Sequence, residues 1–303
     1  MTNPKKILVA YDGSPHSKAA LGWAMLLGGN QHAELEVVKV FEPIIRHYTR
    51  SDFDIGDQIA EQYAEIEKAD RQMLEAVKSF CKENSQLKIH VDVLKGHVAS
   101  TLLDYARQKG FDLIVAGTKG RGVLEDMLVG SVTSSLVRLA KVPVLVVKEQ
   151  SAPASLQKIL VAYDGSDYAK AALDLAIDIS KSANAKVLAA KVSDPLDLMM
   201  TSNMTEAGSV EKIRLKLAEL EEQEKKLLEG VKAAAARKEM DIRLELLSGS
   251  SIAERMIQHA GETHADMIVA GTLGHGLLGG LLLGSVTRNL VSLSKIPVLV
   301  VKK

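Results

Sequence analysis

Two glycine-rich segments carry the residue types best suited to bind phosphate. Residues 117–122 read Gly-Thr-Lys-Gly-Arg-Gly and are followed by Gly-Ser-Val-Thr at 130–133. Residues 271–276 read Gly-Thr-Leu-Gly-His-Gly and are followed by Gly-Ser-Val-Thr at 284–287. Gly120 lies three positions after Gly117, and Gly130 follows Gly120 after nine intervening residues. Gly271, Gly274 and Gly284 repeat this spacing. The same spacing twice in one chain indicates a shared task rather than two unrelated turns.

This spacing suits an anion because each segment connects the end of a strand pattern to the start of a helix pattern. Glycine lets the backbone approach phosphate oxygens without a Cβ atom in the way. A helix that begins at Ser131 or Ser285 directs its free N–H groups and the positive end of its dipole at the anion. The serine and threonine hydroxyls add donors. The segments are neither a P-loop, which needs Gly-Lys-Ser/Thr, nor a dinucleotide fingerprint, which follows the first strand.

A second recurring motif is Tyr-Asp-Gly-Ser, at 11–14 and again at 163–166. Each copy directly follows a short apolar strand pattern. The carboxylate of Asp12 or Asp164 has three possible tasks: to cap the following helix, to accept hydrogen bonds from a base or ribose, or to help to hold a divalent metal. Ser14 and Ser166 each precede a helical pattern, so we expect them to be helix caps rather than ligands.

The sequence offers no recurring set of catalytic residues. Its eight histidines are scattered without metal-ligand spacing, and no Ser/His/Asp or Cys/His arrangement recurs in both halves. The single cysteine, Cys81, lies in a helical stretch without neighbours that would lower its pKa, so we expect an inert thiol. We therefore assign no catalytic residue, and no metal ligand from side chains alone.

These motifs sit in an internal repeat. Lys-Ile-Leu-Val-Ala-Tyr-Asp-Gly-Ser occurs at 6–14 and 158–166, and Pro-Val-Leu-Val-Val-Lys at 143–148 and 297–302. We therefore predict one domain over 1–149, a second over 156–303, and a polar linker at 150–155.

Within each copy, short β-branched runs alternate with longer amphipathic stretches, which is typical of βαβ units. The predicted fold class is α/β, with two tandem, doubly wound, five-stranded parallel sheets. The predicted strands are 6–11, 34–41, 87–94, 112–117, 143–147, 158–163, 185–192, 241–247, 266–271 and 297–301. The predicted helices of the first copy are 15–29, 58–84, 97–109 and 131–140. Sheets of this kind bind ligands at the carboxyl ends of strands where the strand order reverses.

The long second helix of each copy has an apolar stripe. In the first copy the stripe comprises Ile59, Tyr63, Ile66, Met73, Val77 and Phe80, interrupted by Asp70. The second copy has Ile213, Leu217, Leu220, Leu227 and Val231, interrupted by Glu224. The stripe predicts a helix that packs on the sheet, with a partner-binding seam as the alternative.

Composition narrows the class of protein. Hydrophobic residues make up 47% of the 303 residues, and Lys plus Arg equals Asp plus Glu at 38 each. This balance provides no general attraction to nucleic acid or to an anionic membrane. The chain shows no signal-peptide pattern and no apolar run long enough to span a membrane, and one cysteine fits a reducing compartment. We expect a cytoplasmic protein.

The chain resembles the universal stress protein family in its tandem form. The resemblance rests on Tyr-Asp-Gly-Ser, on the glycine segment with Gly-Ser-Val-Thr, and on the terminal Pro-Val-Leu-Val-Val-Lys, and it covers nearly the whole chain twice. Both copies keep the glycine loop that is typical of ATP-binding members. The resemblance therefore implies one adenine nucleotide per domain: ATP, with ADP or AMP as alternatives. It also implies one Mg²⁺ ion per nucleotide, held mainly by phosphates and water.

The resemblance also implies the residues around each nucleotide. In the first copy they are Ala10, Tyr11, Asp12, Val40, Ala116 and Gly117 around adenine and ribose, and Lys119, Gly120, Arg121, Gly130, Ser131, Val132 and Thr133 along the phosphates. In the second copy they are Ala162, Tyr163, Asp164, Val192, Ala270, Gly271, Gly274, His275, Gly284, Ser285, Val286 and Thr287. Leu273 and His275 replace Lys119 and Arg121, so we expect triphosphate to favour the first site by about tenfold. Protonation of His275 would narrow this difference at lower pH. The alternative is that both cations point to solvent and the two sites are equivalent.

Three functions fit these residues. The first is a regulatory stress-response module whose nucleotide sets a conformation or a choice of partner. The second is a slow ATPase or phosphotransferase, which is disfavoured because no base is evident beside the cradle. The third is a structural adaptor that bound nucleotide stabilises.

The final strand of each copy raises a separate question. Each is uninterrupted apolar sequence at a sheet edge, which an exposed edge should avoid. We predict that strands 143–147 and 297–301 pair to make an intrachain pseudo-dimer, with assembly of two chains as an additional possibility. The sequence identifies no protein partner.

Overall fold

The computed structural model describes residues 4–29, 33–42, 53–120, 129–149, 154–193, 209–273 and 283–303. The chain divides into two compact units, residues 4–154 and 155–303.

Within its described residues, the first unit has five strands and four helices. In chain order they are β1 Lys6–Ala10, α1 Pro15–Gly29, β2 Glu34–Phe41, α2 Phe53–Asn84, β3 Lys88–Lys95, α3 Val98–Lys109, β4 Leu113–Gly117, α4 Ser131–Leu139 and β5 Val144–Val147.

The second unit repeats this order over the residues described there. Its elements are β6 Lys158–Ala162, α5 Asp167–Ala183, β7 Lys186–Ser193, α6 Ser209–Arg237, β8 Arg243–Ser248, α7 Ile252–Glu262, β9 Met267–Gly271, α8 Ser285–Leu293 and β10 Val298–Val301.

Both units contain a parallel sheet with the same topology. The first has the strand order β3-β2-β1-β4-β5, and the second has β8-β7-β6-β9-β10. The chain therefore winds outward in one direction from β1 and then crosses to β4 on its other side. This reversal creates a crevice at the carboxyl ends of β1 and β4, and likewise of β6 and β9, where such sheets bind ligands. The predicted fold class is confirmed.

The strands in the middle of each sheet are largely apolar because helices cover both faces of the sheet there, whereas β3 and β8 also carry charged residues. Ile7, Leu8 and Val9 of β1 have no exposed surface, and Ile159, Leu160 and Val161 of β6 repeat this. On one face of the first sheet, Cys81 of α2 contacts Met25 of α1, with 3.7 Å between the sulfur atoms. Cys81 is buried, and burial raises its pKa to about 11, in the direction expected of an unreactive thiol.

The predicted strands agree with the observed ones to within two residues at either end. The largest difference among the predicted helices concerns α2, which begins at Phe53 rather than at 58. Gly56 is a poor helix former, and it masks the beginning of this helix in the sequence.

Candidate functional site

A tight turn follows the first strand of each unit. The amide of Ser14 donates to Asp12 Oδ1 (2.9 Å), and the amide of Ser166 donates to Asp164 Oδ1 (3.0 Å). The glycine between each pair has positive φ, 79° at Gly13 and 81° at Gly165. Glycine adopts this left-handed conformation at little cost. Each aspartate is therefore fixed at the carboxyl end of its strand by the backbone that follows.

The serine of each turn caps the next helix, as expected. Ser14 Oγ accepts from the amide of Ser17, and Ser166 Oγ accepts from the amide of Ala169, both at 3.2 Å. In the first unit, Ser14 Oγ also approaches the carbonyl of Lys119 at 3.4 Å. This contact joins the start of α1 to the glycine segment after β4.

The glycine that ends β4 or β9 permits a close approach of helix and strand. A Cβ atom at Gly117 would lie 2.6 Å from His16 Cβ and 2.7 Å from its carbonyl carbon. At Gly271 the corresponding distances to Tyr168 are 2.7 and 2.8 Å. Gly120 has a related constraint, because a Cβ atom there would lie 2.7 Å from Asp12 Oδ2. The glycine segment of the first unit is therefore packed against the turn that follows β1.

The threonines of each glycine segment hold its two ends together. Thr118 donates its amide and its hydroxyl to the carbonyl of Val147, and its own carbonyl accepts from the Gly130 amide at 2.8 Å. Thr133 Oγ1 then donates to the Gly117 carbonyl at 2.6 Å. Thr272, Gly284 and Thr287 repeat these contacts in the second unit. The hydroxyl protons of Thr133 and Thr287 are thus committed to the loop, contrary to the expectation that they serve as extra donors.

The helices after these segments begin without a side-chain cap. Gly130 precedes α4 and Gly284 precedes α8, and neither helix start has a side-chain capping hydrogen bond. By contrast, Ser166 caps α5 and Ser251 caps α7. The first N–H groups of a helix have no partner within the helix. Over the described ranges those of α4 and α8 have no side-chain acceptor, so they are available to an anion at the end of the crevice.

In the second unit a cavity of about 800 Å³ occupies this crevice. Its wall includes ten residues that the sequence analysis assigned to the second site: Ala162, Tyr163, Asp164, Val192, Ala270, Gly271, Gly284, Ser285, Val286 and Thr287. The volume lies in the range of pockets for small organic ligands and cofactors. Leu227, Ile252 and Met256 give the wall an apolar part, and the start of α8 gives it an anion-binding part.

The corresponding positions of the first unit lie at the same edge of its sheet. Ala10 and Ala116 are paired across β1 and β4, and Val38 of β2 accepts the Tyr11 amide at 2.9 Å. Tyr11, Val40, Ala116 and Gly130 are buried, whereas Ser131 at the start of α4 is exposed.

Cationic groups gather around the first glycine segment. Burial lowers the pKa of His16, and the nearby charges of Lys119 and Lys148 lower it further, against Glu149 and Asp12, which act in the opposite direction. Burial, together with Lys119, lowers the pKa of Lys148 to about 8. Lys119 and Lys148 therefore lie close to the loop, together with the carboxylates of Asp12 and Glu149.

Comparison with known proteins identifies the relatives of this chain. A family model described as Universal stress protein family matches residues 3–148 and again residues 155–302. The chain belongs to the universal stress protein family. A universal stress protein of Mycobacterium tuberculosis is 29% identical over 98% of this chain and 94% of its own length. One from Methanocaldococcus jannaschii is 35% identical over 48% of this chain and 82% of its own length.

A solved universal stress protein structure from Archaeoglobus fulgidus has the same fold. It superposes with a TM-score of 0.68 at 20% identity, covering 100% of this chain and 97% of the other. No helix in the described part of the present chain is long and apolar enough to cross a membrane.

Several residues of this universal stress protein that were assigned to the sites lie outside the described residues. They are Arg121 in the first copy and Gly274 and His275 in the second. The linker expected at 150–155 falls partly outside them as well.

Sequence reasoning missed the part of the cavity wall that comes from helices. It comprises Lys170 of α5, Gln223, Lys226, Leu227 and Gly230 of α6, and Ile252 and Met256 of α7. No motif surrounds these residues, so only the three-dimensional packing assigns them to the cavity. Lys191 was also missed, although it adjoins the predicted Val192 on β7.

A metal ion at this site would depend on ligand atoms from a bound nucleotide. Over the ranges that the structure describes, no three His, Cys, Asp or Glu side chains form a cluster able to hold an ion. Asp164 is the carboxylate among the described residues of the second cavity wall. A divalent cation would fit there only with phosphate oxygens and water as its other ligands, which is how Mg²⁺ usually accompanies nucleotides.

Proposed function

We propose that this universal stress protein is a regulatory adenine-nucleotide-binding protein, with one site for ATP and Mg²⁺ in each domain. The observation that carries the proposal is the cavity of the second domain, whose wall unites ten residues assigned to the site beforehand. The apolar part of the wall suits a base, and the uncapped start of α8 suits phosphates.

The same wall favours binding over catalysis. Phosphoryl transfer needs a base or a positioned nucleophile beside the terminal phosphate. Among the described residues of the wall, the carboxylate available is that of Asp164, and its Oδ1 already accepts the Ser166 amide. Bound nucleotide would therefore act by stabilising the conformation to which it binds.

Calorimetric titration of the purified chain with ATP and Mg²⁺ tests the proposal. We expect two sites per chain, and one site after either Gly130→Val or Gly284→Val, because each adds a branched side chain where phosphate approaches the backbone. Small molecules extracted from the chain, purified without added nucleotide, would identify the ligand that it carries from cells.

Two results would contradict the proposal. If ATP, ADP and AMP give neither a heat of binding nor thermal stabilisation, the proposed nucleotide binding is wrong. Release of ADP at more than about 0.1 s⁻¹, near the low end of ordinary enzyme rates, would instead indicate an enzyme.

A further inference from the structure

Three lysines contribute to the wall of the second cavity, and none of them belongs to the glycine segment. Lys170 comes from α5, Lys191 from β7 and Lys226 from α6. Asp164 is the acidic residue among the described part of the wall. Lysines therefore outnumber acidic residues on the described wall, although its glycine segment has Leu273 where the first copy has Lys119. Lys170 also lies 3.5 Å from Asp167, an exposed residue outside the wall. Leu273 is itself buried and lines the cavity.

Lys226 distinguishes the second domain from the first. When the long helices are aligned at their ends, Asn84 and Arg237, buried Leu227 matches buried Leu74 and Lys226 matches the uncharged Met73. Lys170 and Lys191 match Lys18 and Lys39 by the offset of the first strands, so those two charges occur in both copies.

The contacts of Lys226 leave its charge accessible. Its ammonium lies 3.5 Å from Glu222 Oε1, one helical turn away, and the two side chains are 70% and 57% exposed. An exposed pair of this kind contributes little stability, so the ammonium can exchange this partner for a ligand at little cost. Because Lys226 lines the cavity and is also exposed, it stands at the rim.

We propose that Lys226 is a specificity-determining residue of the second domain, where its ammonium recognises the phosphate charge of the ligand. It takes the place of the loop cation that this domain lacks, and it makes the cavity favour nucleotides over uncharged nucleosides. This inference rests on the proposed function and names the ligand property to which the second site responds.

The test compares Lys226→Gln, which removes the charge, with Lys225→Gln. Lys225 is exposed on the same helix and does not line the cavity. Both variants are made in the parent chain and in a Gly130→Val background, which disables the first site. If the Gly130→Val chain fails to fold, the variants of the parent chain still provide the comparison. Each is titrated calorimetrically with ATP, AMP and adenosine at low and high KCl.

We expect Lys226→Gln to weaken ATP binding at the second site by roughly three- to tenfold at low salt, and AMP binding by less. Adenosine affinity should be unchanged, the loss should shrink in high KCl, and Lys226→Arg should restore it. ATP affinities that are equal in Lys226→Gln and Lys225→Gln would overturn the inference and leave the proposed function standing. A parent chain that binds none of the three ligands would overturn both. Equal losses for ATP and adenosine would assign Lys226 a structural role and overturn the inference alone.

Discussion

Glycine serves three different physical needs around the sites. Gly13 and Gly165 adopt positive φ in the turn after the first strand. Gly117 and Gly271 leave room for the backbone of a neighbouring helix. Gly130 and Gly284 precede helices that have no side-chain cap. The repeated spacing is visible in the sequence. The close approach of a helix at Gly117 and Gly271 is not, because it depends on residues that are distant along the chain.

The close approach at Gly271 predicts a stability cost for any side chain there. In Gly271→Ala the new Cβ atom would lie 2.7 Å from Tyr168 Cβ and 2.9 Å from the Tyr168 carbonyl oxygen. Because backbone atoms cannot rotate away, we expect the free energy of unfolding to fall by about 1–3 kcal/mol. Urea unfolding followed by circular dichroism measures it.

Gly261→Ala is the matched control. No atom lies within 4 Å of a Cβ atom built at this exposed helical glycine, so alanine should be neutral or stabilise α7 by up to about 1 kcal/mol. If both variants unfold at the parent's urea concentration, the close packing of α5 against β9 has no energetic consequence.

The lowered pKa of Lys148 predicts a dependence of stability on pH. Burial and Lys119 lower this pKa from the usual value of 10.5 to about 8 in the folded chain. Between these two values the unfolded chain holds more proton, so stability rises as pH increases through this window. With allowance for partial exposure, we expect Lys148 to contribute about 1–2 kcal/mol to this rise.

Urea unfolding at several pH values from 7.5 to 10 measures this effect in the parent and in Lys148→Met. The variant should be more stable than the parent near pH 7.5, and the difference should shrink towards pH 10. The exposed Lys141, replaced by Met, serves as the control and should run parallel to the parent. A Lys148→Met curve that also runs parallel to the parent would contradict the expectation.

At the scale of elements, apolar periodicity predicted the strands well because parallel strands are buried on both faces. The stripe on α2 was predicted less accurately. Ile66 and Phe80, which it included, are exposed, whereas Leu74 and Cys81 are buried. Asp70, treated as an interruption, lies on the buried face, 3.4 Å from the ammonium of Lys39 on β2. A sequence pattern cannot show that a charge is buried with a partner from another element.

This pair predicts a strong effect of removing one partner. Within the part of the chain that the structure describes, Asp70 Oδ2 is buried without a hydrogen-bond partner, so the carboxylate depends on Lys39 for compensation. We expect Lys39→Met to reduce the free energy of unfolding by about 2–4 kcal/mol, because it leaves an uncompensated buried charge. The double variant with Asp70→Leu should recover most of that loss, as measured by urea unfolding.

An exposed ion pair provides the comparison. Arg107 and Asp104 lie 2.9 Å apart on α3 with most of their surface exposed, and Arg107→Gln should change stability by less than about 0.5 kcal/mol. A double variant no more stable than Lys39→Met alone would show that the pair is not the origin of the loss.

At the scale of the whole molecule, the two copies share their fold but not the source of their charge. The loops alone predicted a stronger first site, because Leu273 and His275 replace Lys119 and Arg121. Lys226 on the wall of the second cavity would offset part of that deficit, whereas Lys170 and Lys191 have counterparts in the first copy. Lys226 lies on another element, so the glycine motif could not reveal it. The predicted tenfold preference for the first site therefore becomes smaller, and it stays a prediction.

The last prediction concerns the independence of the two units. Each has its own five-stranded sheet, covered by its own helices, and its own buried core. We therefore expect residues 1–154 and 155–303, expressed separately, each to fold cooperatively, and we expect 155–303 to retain its ligand binding. Circular dichroism, urea unfolding and calorimetry measure this, with a fragment that ends after β3 as the unfolded control.

If strands 143–147 and 297–301 pair as the sequence predicts, the separate halves should associate when mixed, which sedimentation would detect. Folded halves that stay monomeric would contradict the pairing alone, whereas unfolded halves would contradict the independence of the units.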